Sequence, residues 1–328
     1  MIRRALLRLL APAVIAPAVI AAAIPSAWAQ TDFPTHPIRL VVPFAAGGGT
    51  DAQSRILADA LSRRLGQGVV VENIGGAGGT IGSTQVVRAR PDGYTLLAAT
   101  PGLIINPFIQ KDIAYDPARD FAPVIQTTTS PIVLVVPPAS SIHTVQDLID
   151  QARAHPGDIR YGSAGIGSVA HLSGALFAAL AKVELTHVPY RGTGPALIDL
   201  LAGRLQVEFE NAPGVLTQIR AGALRPIAVG TAGSSTLLPD LPTVAATVPG
   251  YESSSWFGIL APVKTPRPVI DRLNAALNEA LDDRAVQAQL AAIGVERVGG
   301  TPEAFGTFLK AGITEMQTLS KAAGLVQQ

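Results

Sequence analysis

The chain has 328 residues, with 25 Lys and Arg against 24 Asp and Glu, 48% hydrophobic side chains and no cysteine. So even a charge balance excludes the basic stripe that nucleic acid or an acidic membrane surface would require. The missing cysteines exclude disulfides, thiolate metal sites and cysteine nucleophiles, so the fold must stand on its hydrophobic core.

Arg3, Arg4 and Arg8 precede an uncharged apolar run over residues 9–24, which leads to Ala27-Trp28-Ala29. This is the three-part pattern of a secretory signal peptide, with cleavage expected before Gln30. A membrane-anchoring helix needs about 20 predominantly apolar residues, and Pro12, Pro17 and Pro25 interrupt this one. The residues around Arg3-Arg4 lack the remainder of a twin-arginine signal, which favours the general export route. Loss of residues 1–29 removes three arginines, leaving 22 basic against 24 acidic side chains and a formal charge near −2. Without a cysteine to lipidate, a periplasmic location is expected. A mature chain of about 300 residues exceeds the usual single core and predicts two domains.

From residue 38 onward, short β-branched runs alternate with longer amphipathic segments, the pattern of an α/β protein with mostly parallel sheets. A strand over 38–44 is followed by a glycine-rich turn and a helix over about 51–65, which Gly66 ends. A strand over 69–72, a glycine cluster at 75–79, a helix to about 89 and a strand over 94–98 complete this series. Residues 101–120 read as loop. The apolar passage 121–136, interrupted by Thr127-Thr128-Thr129-Ser130-Pro131, reads as a first crossing between lobes.

A helix over 145–154 opens a second series: strands at 159–162, 186–188, 206–209 and 226–229, with helices at 168–181, 195–202 and 215–221 between them. Residues 234–255 read as surface loop, and 256–261 as the strand of the return crossing. Helices follow over 266–281 and 285–293, and Thr301-Pro302 is a cap and first position for a terminal helix. The expected division is a leader at 1–29, one lobe at 30–130 and 256–328, and a second at 131–255. Two connecting strands form the hinge of such a two-lobed Venus-flytrap fold.

Two glycine-rich strand-to-helix turns stand out, Ala45-Ala46-Gly47-Gly48-Gly49-Thr50-Asp51 and Gly162-Ser163-Ala164-Gly165-Ile166-Gly167-Ser168. A helix N-terminus carries unpaired N–H donors and roughly half a positive charge, so it receives a carboxylate or phosphate without a charged side chain. Glycine lets the ligand approach the backbone. One such turn per lobe would let an anion bridge the cleft and drive closure. The plainer reading is that these glycines only make tight connections, with Thr50 and Asp51 as helix caps.

The sequence resembles the substrate receptors of tripartite tricarboxylate transporters, the Bug-type periplasmic binding proteins. The resemblance is carried by IRLVVPFAAGGGTD at 38–51, VVVEN with GGAGGTIG across 69–82, PDGYTLL at 91–97, YDPARDFAPV at 115–124, YGSAGIGSVAHL at 161–172, HVPYRGTGPAL at 187–197 and LPDLPTV at 238–244. It implies a receptor, expected to be monomeric, that captures a small organic acid and delivers it to a separate membrane permease. No cofactor, metal or catalytic residue is expected of it. The resemblance places Phe44, Gly48, Thr50 and Asp51 in the first ligand loop and Ser163, Gly165, Gly167 and Ser168 in the second. His171, one helical turn beyond Ser168, either reaches the cleft or is a partly buried helix histidine. Arg191 either forks onto a ligand carboxylate or pairs with a surface acid. Glu208-Phe209-Glu210-Asn211 departs from the family pattern, and Glu210 either brings negative charge to the cleft or is a solvated strand-end glutamate.

Other readings are weaker. Gly165-Ile166-Gly167-Ser168-Val169-Ala170 matches the dinucleotide pattern G-x-G-x-x-A in form, but an exported protein rarely meets NAD. A serine-hydrolase elbow would need glycine at Tyr161. The five histidines are scattered, with no metal-ligand spacing, and no Gly-Lys-Ser/Thr follows Gly75 to make a P-loop. A receptor that presents its closed form to a signalling partner is not distinguished from a transport receptor by sequence.

Overall fold

The computed structural model describes residues 33–235 and 237–323. The leader expected at 1–29 lies outside the described residues.

The first half is built on β1 (Ile38–Val42), α1 (Gly49–Leu65), β2 (Val69–Asn73), α2 (Thr80–Val87), β3 (Thr95–Ala99) and α3 (Gly102–Ile109). The long strand β4 (Phe121–Val136) follows, then α4 (Val145–Ala154), β5 (Arg160–Ser163), α5 (Val169–Ala181), β6 (Thr186–Pro189), α6 (Thr193–Leu201), β7 (Val207–Asn211), α7 (Ala212–Arg220) and β8 (Arg225–Val229). The chain returns through β9 (Ser254–Pro262) and ends with α8 (Arg267–Asp282), α9 (Arg284–Ala292), the short β10 (Glu296–Arg297) and α10 (Pro302–Ala323).

Strand order is β2-β1-β3-β9-β4-β7-β5-β6, with β8 and β10 also pairing on β4. The triplets β2-β1-β3 and β7-β5-β6 are parallel, as the alternating pattern predicts. Antiparallel β9 and β4 extend each triplet, so both sheets are mixed. β4 changes partners along its length: residues 121–131 pair with β9, and residues 132–136 pair with β7 and β8. The chain thus forms two α/β halves that share one strand, the two-lobed architecture expected from the sequence.

The hydroxyl-rich segment inside β4 does not break the strand. Thr127 and Thr129 donate to the Phe257 and Ser255 carbonyls of β9, and Ser130 donates to the Gly294 carbonyl. Pro131, which has no N–H to give, sits where the partner strand changes.

Each half buries both faces of its sheet. In the first, Ile38, Leu40 and Val42 pack with Leu57 and Leu61 of α1 and Leu273 and Leu277 of α8, while Val41 and Leu97 face Leu103 of α3 and Leu309 of α10. In the second, Ile132 and Leu134 face Leu148 of α4 and Phe177 of α5, while Val133 and Val135 face Leu197 of α6 and Val215 of α7. Full burial of each such side chain contributes about 1.5–3 kcal/mol.

Residues 101–120, read as loop, contain α3. Proline suggests a break because it cannot return a hydrogen bond to the carbonyl four residues back. For Pro107 that carbonyl belongs to Leu103, and the Tyr115 hydroxyl donates to it at 3.2 Å. The described part of 234–255 is likewise more ordered than expected, since Thr243 bridges to Val229 and Tyr251 is fully buried. Among the described residues, no helix is long and apolar enough to cross a membrane.

Candidate functional site

The C-terminal ends of the parallel strands in both halves face one another. A cavity of about 30 Å³ lies between them, lined by Phe44, Gly48, Thr50 and Asp51 from the first half and Ser168, Val169, Ala170, Thr193, Glu210 and Asn211 from the second. Thr100, Ser255 and Phe257 close its sides. Four helices begin at this cavity: α1 after Gly48, α5 after Ser168, α6 at Thr193 and α7 after Asn211. Each leaves its first N–H groups without an intrahelical partner and brings partial positive charge, so the cavity favours an anion with no cation inside it. By this measure of volume a water needs about 10–15 Å³. The space therefore suits about two waters, and a larger ligand enters only when the halves part.

The first glycine turn is held from behind. Gly47 N–H donates to Asp51 Oδ2 at 3.0 Å, Asn73 donates to Asp51 Oδ1 at 3.0 Å, and Arg55 forks onto the same carboxylate. Burial raises the Asp51 pKa, but the Arg55, Gly47 and Asn73 hydrogen bonds outweigh it and leave the group below its ordinary value. Asp51 therefore stays ionised and lines the cavity as the brace of the loop. The cap of α1 is Gly48, with no side-chain hydrogen bond, so Thr50 is not the cap.

The second turn is braced by two imidazoles. Ser163 Oγ lies 2.6 Å from His187 Nε2, accepts from Gly165 N–H and lies within reach of the Gly165 carbonyl. His171 Nδ1 accepts from Gly167 N–H at 3.2 Å, and its ring lies 4.2 Å from that of His187. Burial, then the neighbouring His171, lowers the His187 pKa to about 4, and burial lowers that of His171. Both rings are thus neutral near neutral pH, and His171 is the acceptor of the Gly167 N–H. The Ser163 side chain is fully buried beneath the loop, out of reach of a substrate.

Of the residues singled out by sequence, Phe44, Gly48, Thr50, Asp51 and Ser168 line the cavity. Gly165 and Gly167 are not part of its lining and instead meet the first half: a Cβ on Gly165 would come within 2.9 Å of Gly78 N, and one on Gly167 would overlap Asn106. His171 faces the loop backbone. The Arg191 side chain is exposed and outside the cavity lining, while its carbonyl accepts from Ala45 N–H of the first half at 3.1 Å. Gln110 makes a second such link, donating to the Ile166 carbonyl at 2.7 Å.

Sequence reading missed Thr193 and Asn211. The signal for Thr193 was a third strand-to-helix turn with glycines, Gly192-Thr193-Gly194; for Asn211 it was a cap residue two positions before Pro213. Glu210, read as either a cleft acid or a solvated strand end, is 1% exposed and lines the cavity. Helices α6 and α7 close over the end of β7 and remove it from water. Among the described residues, no three His, Cys, Asp or Glu side chains converge to hold a metal.

Residues 53–325 match the family described as tripartite tricarboxylate transporter family receptor. The chain is 38% identical to protein BugT of Bordetella pertussis over 89% of its own length and 90% of BugT. A solved structure from Rhodopseudomonas palustris with adipate superposes with a TM-score of 0.86 at 38% identity, covering 90% of this chain and all of that one. MatC of the same organism, with bound malate, gives 0.82 at 31% identity, covering 88% of this chain and all of that one. With the two-lobed fold and the cleft between its halves, these likenesses place the chain among the tripartite tricarboxylate transporter receptors, a family of periplasmic solute-binding proteins.

Proposed function

We propose that this protein captures a small organic acid in the cleft and delivers it to the membrane permease of a tripartite transporter. The observation that carries this is the convergence of four helix N-termini on one interlobe cavity. Relatives with adipate and malate bound support a carboxylate of that size. In this reading the chain is exported, its leader is removed before Gln30, and it works as a monomer without catalysis. The lobes comprise residues 30–130 with 256–328, and 131–255, and rotate about the paired crossing of β4 and β9. Gly48, Thr50, Ser168 and Thr193 surround the ligand; Asp51, Ser163, His171 and His187 hold the loops that meet it.

A thermal-shift screen of organic acids tests the reading. A ligand at 100 times its dissociation constant stabilises by about 2.7 kcal/mol, and a raised melting temperature with one or more small carboxylates is expected. Stabilisation by sugars or cationic amines and by no carboxylate would overturn it.

A further inference from the structure

The anion site contains a feature that a plain carboxylate trap does not need. Glu208 and Glu210 alternate along β7 and so point to the same face of the sheet. They are 0% and 1% exposed. Among the described residues, neither has an ion-pair partner and neither oxygen of Glu208 has a hydrogen-bond partner. Glu210 accepts from the Thr193 hydroxyl at 2.9 Å, from Asn211 N–H at 2.9 Å and from the Asn211 side-chain amide.

Glycines make room for both acids. A Cβ on Gly162 would stand 3.2 Å from Glu208 Oε1, and one on Gly214 would stand 2.9 Å from Glu210 Cγ. Among the described residues, the surrounding elements supply no cation that pairs with either acid. β4 presents Val133 and Val135, and β5 presents Gly162. On the α6 side stand Tyr190, Asp199 and Arg204, with Arg204 and Tyr190 both bound to Asp199. Across the cavity, Arg55 is bound to Asp51.

We propose that this protein captures its anion together with a proton, with Glu208 and Glu210 as the paired acids beneath the cavity that hold it. This rests on the reading that the cavity takes a carboxylate. In the ligand-free receptor, Glu208, deeper and without partners, keeps one proton. Glu210, held by three donors, is the member that titrates: burial raises its pKa to about 7, partly offset by Asn211 and Thr193. Burial, then repulsion by Glu210, holds Glu208 well above the ordinary range. An anion in the cavity adds a second negative charge beside Glu210, so the complex takes a proton from solvent onto the Glu210 carboxylate. The net charge brought into the cleft is then one unit smaller than that of the ligand.

The sign follows from linkage. Below pH about 7, Glu210 is already neutral and affinity is flat; above it, each pH unit weakens capture by up to about tenfold, until the complex loses its proton too. His187 and His171 are neutral throughout that window, and burial with the Asp199 hydrogen bond holds Tyr190 at about 12.

Calorimetric titration with adipate and with malate, in buffers of different ionisation heat between about pH 7 and 9, tests the proposal. The wild type is expected to take up a fraction of a proton and to lose affinity several-fold across the range. Glu210→Gln is expected to bind with no proton uptake and no pH dependence. Wild-type binding whose heat is the same in every buffer overturns the proposal, as does uptake undiminished in Glu210→Gln. If neither probe binds the wild type, the carboxylate reading fails for these acids. The pair is then judged by infrared difference spectra over the same pH range. A neutral-carboxyl band that titrates in the wild type and is absent from Glu208→Gln/Glu210→Gln upholds the pair. No such band in the folded wild type overturns it.

Discussion

Glu208 shows how one side chain costs stability and yet persists. A buried carboxyl without a hydrogen-bond partner costs about 1–3 kcal/mol, and Glu208 has two unpartnered oxygens. Glu208→Met is therefore expected to raise the melting temperature, and an unchanged or lower midpoint would show that the carboxyl has a partner in solution. Stability against pH separates the buried acids from the buried imidazole. Glu210, raised from 4.5 to about 7, stabilises when protonated, so its contribution falls as pH rises across that interval. His187, lowered from 6.5 to about 4, stabilises when neutral, so its contribution rises as pH rises across its own interval. The two oppose each other between about pH 4.5 and 6.5. His187→Gln is expected to show stability that declines with rising pH, and Glu208→Met/Glu210→Gln stability that increases, measured as urea midpoints. Slopes of the same sign in both variants would contradict these assignments.

At the scale of elements, helix starts do two separable jobs. Thr144 caps α4 in a reciprocal box with Asp147, outside the cavity lining, and Ser168 caps α5 at the cavity. Removing either cap costs about 1 kcal/mol. Thr144→Ala is expected to lower the melting temperature with ligand affinity intact, whereas Ser168→Ala lowers both, by thermal melts and calorimetry; equal affinities in the two would remove Ser168 from the site. Most elements were legible in the sequence because their apolar periods are local: β1 with α1, and α8, follow from burial on one face. The cap at Thr301 was equally local, and its hydroxyl accepts from Ala304 N–H at 3.1 Å. What escaped was settled by distant partners. α3 survives Pro107 because Tyr115 answers the stranded carbonyl, and β4 runs through Thr127 to Pro131 because β9 accepts the Thr127 and Thr129 hydroxyls while Gln53 and Gly294 accept those of Thr128 and Ser130. The burial of Glu210 depends on α6 and α7 folding over β7, which no spacing within 207–211 reveals. Phe44, Thr50 and Ser168 were found because strand-to-helix turns rich in glycine are themselves a local signal.

Across the whole molecule, the halves meet backbone to backbone, and glycine permits it. Gly78 has φ +60 and stands against the Ile166 carbonyl of the other half, where an added Cβ would overlap that oxygen. The obstacle is main chain, so neither a rotamer change nor a flexible tip relieves it, and Gly78→Ala is expected to wedge the cleft open. Gly66 supplies the control: its φ is +66, and a Cβ there meets nothing within 4 Å. Both substitutions carry the same left-handed backbone cost of about 1 kcal/mol. Small-angle scattering is expected to give a larger radius of gyration for Gly78→Ala than for wild type, and a wild-type radius for Gly66→Ala. Carboxylate affinity should fall only in Gly78→Ala, because the ligand gains its second set of helix N-termini on closure. Matching radii and affinities in the two variants would mean that this contact is not part of the working closed state, and that the halves meet elsewhere when the ligand is held.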